Sequence, residues 1–269
     1  MRRLLPMASL AALLLAVAPV AGASPSSDEG AADADVSPRR ARVRRRSRSV
    51  GFPWRGRLER GVALSESRHV RLVPEYAGHD HRFGTWQLVQ LLERAAERVS
   101  QRLPGARLSV GEVAAEQGGH IDGHRSHQNG RDVDVGFYMT DARGRPYDAY
   151  AFAEFGADGV GLGANRMLRF DDARNWELVG KLVADGDARV QHIFVSSALE
   201  RRLLREGRRR RAPRAVLDRA ARVMSQPGHH PHRNHFHVRI YCSPHERPAC
   251  RDRGPFHEWY PGQRPHEGS

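Results

Sequence analysis

Between Thr85 and Gly105 the apolar residues Leu88, Leu91, Leu92, Ala95, Val99 and Leu103 recur every three or four positions. That spacing puts them on one side of a helix, with Thr85 as its cap and Pro104-Gly105 as its stop. The same period predicts helices in DDARNWELVGKLVADG (171–186), ALERRLLREG (198–207) and APRAVLDRAARVMSQPG (212–228), the last ended by Pro227-Gly228. Other stretches alternate or run apolar over short lengths and read as strands: ARLSVGEVA (106–114), DVDVGFYM (132–139), ARVQHIFVSS (188–197) and HFHVRIYC (235–242). Residues 141–170 are rich in Gly, Asp and Arg and predict a loop or lid around FGADGVGLGANR. About four strands and four helices mix without regular βαβ alternation. This favours an α+β fold with a small, mostly antiparallel sheet flanked by helices.

The ends of the chain read differently. Residues 1–23 carry Arg2 and Arg3, a Leu/Ala-rich run and the small residues Ala21-Gly22-Ala23, the pattern of a secretory signal peptide. An uncleaved N-terminal anchor is the alternative, disfavoured because Pro6 and Pro19 interrupt a short run. Residues 24–50 turn from acidic to basic with no apolar period, which predicts a disordered tail. The folded domain is expected over 51–250, with a loose C-terminal tail over 251–269. Export also bears on Cys242 and Cys250, the only cysteines. In an oxidising compartment they read as one disulfide closing a small loop, with two free thiols as the alternative.

The formal charge is +13; losing Arg2 and Arg3 with the leader lowers it by two, to +11. Such an excess often marks a nucleic-acid partner. The basic runs RRARVRRRSRS and REGRRRR contain no aromatic residue on which bases could stack, so no nucleic acid is expected. For an exported chain the polyanions at hand are cell-wall polymers, lipid headgroups and acidic glycans. No later segment is apolar enough for stable membrane insertion.

Candidate chemistry sits in SHQNGRDVD (126–134) and NHFHVR (234–239). Residues two apart on a strand share a face, so His235 and His237 project together while Phe236, Val238 and Ile240 enter the apolar layer. Asp132 and Asp134 share a face in the same way, and His127 lies in the polar loop leading to them, where Gly130 allows a turn. Neutral imidazoles and a carboxylate suit Zn²⁺, and three protein ligands with one open position form the catalytic arrangement. His127, Asp134 and one histidine of the His-x-His pair meet that requirement, with the zinc site on the sheet face. Two plainer readings stand beside it. A chain with 15 histidines produces such pairs by chance, and PGHHPHRNHFH resembles a metal buffer.

Taken together, GHRSHQNGRDVDV and RNHFHVRIYC resemble the penicillin-insensitive murein endopeptidases, within a wider group that includes lysostaphin-type enzymes, D-Ala-D-Ala metallopeptidases and the hedgehog signalling domain. The group shares His-x6-Asp with a later His-x-His, and the resemblance spans about Gly61 to Cys250. It implies Zn²⁺ on His127, Asp134 and His237, a catalytic His235 that takes a proton from the attacking water, and a second active-site histidine, His232. His124 matches a histidine near the metal, a fourth ligand or an ordinary neighbour. The segment from Thr140 to Asp172, where some members hold further zinc with Asp-x-x-His, contains no histidine. The implied activity is hydrolysis of D-alanyl–meso-diaminopimelyl cross-links in peptidoglycan by a periplasmic or secreted enzyme. The alternative is a wall-binding module that keeps the zinc fold without turnover. Asp132 could orient a ligand histidine or pair with an arginine, and Arg239 could clamp a substrate carboxylate or form an ordinary ion pair.

Overall fold

In the computed structural model the described residues are 47–228 and 230–263. The signal-peptide reading and nearly all of the disordered-tail reading fall on residues outside these. Arg48–Val50, placed by the sequence reading in that tail, belong instead to a hairpin of β1 (Arg48–Phe52) and β2 (Arg55–Glu59). Ser47, just before it, accepts a hydrogen bond from the Trp86 N–H at 2.9 Å. Two further strands, β3 (Val62–Ala63) and β5 (Phe83–Gly84), pair with each other.

The central sheet holds β4 (Val70–Leu72), β6 (Leu108–Val110), β7 (Asp132–Gly136), β10 (Val190–Phe194), β11 (Met224–Ser225) and β12 (His235–Ile240). Their order is β11-β10-β12-β7-β6-β4. The inner pairings β10/β12, β12/β7 and β7/β6 are antiparallel, and only the outer pairs β10/β11 and β6/β4 are parallel. The mixed α+β architecture with a mostly antiparallel sheet is therefore as expected. A small ribbon of β8 (Met139–Thr140) and β9 (Arg169–Phe170) extends from β7, whose strand breaks after Gly136 rather than running to Met139.

Among the described residues four α-helices accompany the sheet: α1 (Trp86–Arg102), α2 (Asp172–Ala184), α3 (Ser197–Arg209) and α4 (Arg214–Val223). The first three begin where a short oxygen side chain can satisfy an orphan N–H: Thr85 accepts from Leu88, Asp171 from Arg174 and Ser196 from Leu199. Helix α4 ends well before Pro227. Met224 and Ser225 pair with Ile193 and Phe194 at the sheet edge, and a strand bond to the β10 backbone replaces another helical turn.

One continuous core joins the apolar faces of these elements, including Leu88, Leu91, Leu92, Ala95 and Val99 of α1 with Val133, Val135, Phe236 and Val238 of the sheet. Each fully buried side chain of this size contributes about 1.5–3 kcal/mol. The outcome of the alternation is that the opposite face of β7 and β12 is polar.

Residues 251–263 carry no helix or strand but are not loose. Arg131, fully buried, donates to Asp252 Oδ1 at 2.7 Å and to the Arg251 carbonyl at 3.0 Å. Tyr260 and Gln263 are buried as well. A buried guanidinium needs such partners, and this segment supplies them. Cys242 and Cys250 form the disulfide at its root. Among the described residues, no helix is long and apolar enough to cross a membrane.

Candidate metal centre

The register of β7 against β12 sets Asp134 opposite His237, Asp132 opposite Arg239 and Gly136 opposite His235. Asp132 and Asp134 of β7 and His235, His237 and Arg239 of β12 project from the polar face, so the strand alternation in two distant segments builds one cluster. His127 enters from the preceding loop with φ of 71°, an unusual backbone for a side chain of this size. Three residues on, Gly130 turns with φ of 72°, and a Cβ there would lie 2.8 Å from Leu58. His127 is completely buried and Asp134 and His237 nearly so.

The imidazoles are oriented by the atoms behind them. His127 donates from Nδ1 to the Val113 carbonyl at 2.7 Å, leaving its Nε2 lone pair toward the cluster. His237 donates from Nε2 to Asp132 at 2.8 Å, leaving Nδ1 toward the cluster. His235 donates from Nδ1 to Asn234 at 2.8 Å, leaving Nε2. The three inward nitrogens lie 3.4, 3.1 and 3.4 Å from Asp134 Oδ1 for His127, His237 and His235. His127 Nε2 and His237 Nδ1 are only 3.3 Å apart. Asp134 Oδ1 is buried and accepts no well-directed hydrogen bond.

Lone pairs crowded around an orphaned carboxylate oxygen repel one another unless a positive charge lies among them. The donor set of two or more imidazoles and one carboxylate is the chemistry that Zn²⁺ takes. The residues therefore fit a metal ion. Without a cation, a proton must take its place, and His237 is the ring that accepts it. Burial lowers its pKa, but the hydrogen bond to Asp132 and the negative charge of Asp134 close by outweigh this and raise it to about 9. The Asp134 carboxyl is held well below the usual range, its burial overcome by the facing histidines.

Asp132 resolves both of its possible roles at once, since the oxygen that holds His237 also accepts from Arg239 Nε at 2.7 Å. Arg239 is thereby committed to an ion pair, with its guanidinium over the Trp54 ring. The arrangement of carboxylate behind imidazole fixes the ring and raises its basicity as a ligand.

His232 and His124 also arrive at the cluster. The His232 ring lies 5.2 Å from that of His235 and 6.1 Å from that of His237, between centroids. Its Nδ1 donates to the His230 carbonyl, and its backbone is left-handed with φ of 42°. His124 donates from Nε2 to Glu112 at 2.7 Å and turns Nδ1 toward Asp134 Oδ2 at 3.6 Å. His124, His127 and Asp134 together form a group able to hold a metal ion.

Other neighbours were not singled out from the sequence. Phe152 stacks on His235 with centroids 5.2 Å apart, and it lies across two glycines. A Cβ on Gly136 or Gly111 would come within 2.8 or 2.7 Å of the Phe152 ring. Tyr76 packs against the same ring at 5.2 Å. Glu112 accepts from His124, His79 and His81, and these bonds overcome its burial and bring its pKa down to about 2. Residues 111–114 do not continue β6 as a regular strand. Gly111 N–H donates to the Asp134 carbonyl and Asp134 N–H to the Glu112 carbonyl, so this segment braces the centre.

Residues 49–259 match the family described as penicillin-insensitive murein endopeptidase. Over 180 residues the chain is 33% identical to the penicillin-insensitive murein endopeptidase of Haemophilus influenzae, an alignment covering 64% of this chain and 56% of that protein. The chain thus spans little more than half the length of that relative.

Proposed function

Because the chain belongs to the penicillin-insensitive murein endopeptidase family, we propose that it is a zinc-dependent endopeptidase that hydrolyses D-alanyl–meso-diaminopimelyl cross-links of peptidoglycan outside the cytoplasm. The observation that carries this reading is the convergence of imidazole lone pairs on Asp134 Oδ1, which has no hydrogen-bond donor of its own. His127 through Nε2, His237 through Nδ1 and the Asp134 carboxylate would hold Zn²⁺, and His124 Nδ1 is the candidate fourth ligand. When bound, the ion supplies Lewis acidity toward the scissile carbonyl and a water made acidic enough to attack at neutral pH.

The remaining work falls to side chains. His235 is the general base, because burial keeps it neutral, its pKa lowered to about 4, with the Nε2 lone pair free. It takes a proton at Nε2 from the attacking water and returns it to the leaving amine. Phe152 covers one face of the ring and holds it in place. His232 already spends its Nδ1 proton on the His230 carbonyl. It can therefore donate to a developing oxyanion at Nε2 only as imidazolium. No serine acyl-enzyme enters this scheme, so a β-lactam has nothing to acylate. Of the basic residues near the sheet edge, Arg202 is paired with Asp172 and Arg209 and Arg210 with Glu206. Arg201, Arg205 and Arg208 are exposed on α3, where anionic wall polymers would meet them.

The test is digestion of purified cross-linked muropeptide dimers, with and without chelator, beside a His235→Ala variant, read by mass spectrometry. Monomers formed only with metal and only with His235 support the endopeptidase. Dimers left intact by a protein with one zinc per chain would point to a wall-binding module instead.

A further inference from the structure

We propose that His79, His81 and Glu112 form a second divalent-cation site, separate from the Asp134 centre. The two Nδ1 atoms converge on a single carboxylate oxygen, Glu112 Oε1, at 2.9 Å for His79 and 2.7 Å for His81. All three ligand atoms lie close enough together for one ion to touch them.

The convergence is built into the backbone. Asp80, between the two histidines, has φ of 51°, and this left-handed residue folds the chain so that both neighbours reach the same carboxylate. Asp80 itself turns outward to Arg82 at 3.0 Å. The segment is clipped to the one that carries Glu112. Val113 N–H donates to the His81 carbonyl at 2.7 Å and Phe83 N–H to the Ala114 carbonyl at 3.1 Å. Tyr76 stands edge-on to the His79 ring, with centroids 6.2 Å apart.

Two imidazoles and a carboxylate suit a borderline divalent ion such as Zn²⁺, Ni²⁺ or Cu²⁺. The degree of exposure fits an exchangeable ion, since the His79 side chain is 52% exposed and that of His81 23%, over a Glu112 that is only 7% exposed. Water can therefore complete the coordination shell, and protons on the outer nitrogens stay solvated. This arrangement predicts weaker binding than at the buried Asp134 centre. The two sites share a wall: Glu112 gives its other oxygen to His124, whose far nitrogen faces Asp134.

The experiment is native mass spectrometry of metal-stripped protein titrated with Zn²⁺. It compares wild type with His79→Ala/His81→Ala and His79→Gln/His81→Gln variants. The glutamines keep a hydrogen-bond donor for Glu112 but remove both nitrogen ligands. Wild type is expected to take up a tight ion and then a weaker one. Both variants should take up one ion fewer and keep the tight one, with circular dichroism unchanged. Equal ion counts in wild type and the glutamine variant overturn the second site. Uptake of the weaker, His79/His81-dependent ion without the tight one would uphold it while sinking the Asp134 assignment.

Discussion

Two buried carboxylates flank the β7–β12 pair, and their surroundings differ in one respect. Asp252, beside the end where Arg131 leads into β7, receives donors on both oxygens: Arg131 and Cys242 N–H on one, Arg247 and Cys242 N–H on the other. Asp134, on β7, is ringed by imidazoles whose protons point away and whose lone pairs point in. Both oxygens of the first carboxylate have donors as folded, whereas the second calls for a cation. A buried charge with satisfied oxygens holds structure together; one left among acceptors marks a place where a ligand is expected.

The largest effect should come from chemistry alone. His235→Ala is expected to lower turnover of muropeptide dimers by about 10²–10⁴ without changing the zinc count. A loss of bound zinc in that variant would make His235 a ligand instead of a base. Next, Asp252→Asn should cost about 3–5 kcal/mol in urea unfolding, with zinc binding intact in the folded fraction. Asp134→Asn should abolish tight zinc and cost the metal-stripped protein less stability than Asp252→Asn does. Similar unfolding of both variants would erase the contrast.

Asp132 lies between the two kinds of cluster, since Arg239 and His237 both donate to its Oδ1 while its buried Oδ2 has no hydrogen-bond partner, and it orients the proposed ligand His237. Asp132→Asn should weaken zinc affinity about 10–100-fold, measured by competition with a chelator. Although burial pushes the other way, Arg239 and His237 hold its carboxyl well below the ordinary value. In metal-stripped protein its stabilisation is therefore full above pH ~4. It is lost as pH falls further, because the unfolded chain takes up the proton first. The stability gap between wild type and Asp132→Asn should accordingly narrow on acidification, and a gap that widened would contradict this pairing.

A smaller disturbance is Gly136→Ala, whose Cβ would meet the Phe152 ring at 2.8 Å. About 1–3 kcal/mol of overpacking is expected, read as a fall in kcat with zinc retained, because Phe152 shifts against His235. Smallest, Thr85→Ala should cost about 1 kcal/mol of stability and nothing in turnover, since the Thr85 hydroxyl caps α1 while its backbone N–H, which holds the Gly130 carbonyl, is unchanged by the substitution.

Much of this site is legible in the sequence because strand periodicity is local. His235 and His237 must share a face wherever their strand goes, and so must Asp132 and Asp134. The helices were legible for the same reason, and α4 was overestimated where Met224 and Ser225 found a partner in β10. The packed residues 251–263 escaped the sequence reading because their order depends on Arg131, more than a hundred residues away. His79-Asp80-His81 is another His-x-His in the chain, but nothing local announces that Glu112 faces it.

By itself the sequence determined the four helices, the apolar and polar faces of the strands that carry the site, and the residue types that chemistry at a metal needs, since all of these follow from local order along the chain and its periods of two and 3.6 residues. Tertiary structure alone decided the register that sets His237 opposite Asp134, the tautomer of every ring, and the difference between Asp134 and Asp252. Those depend on which atoms lie behind each side chain, and such atoms come from segments that only folding brings together.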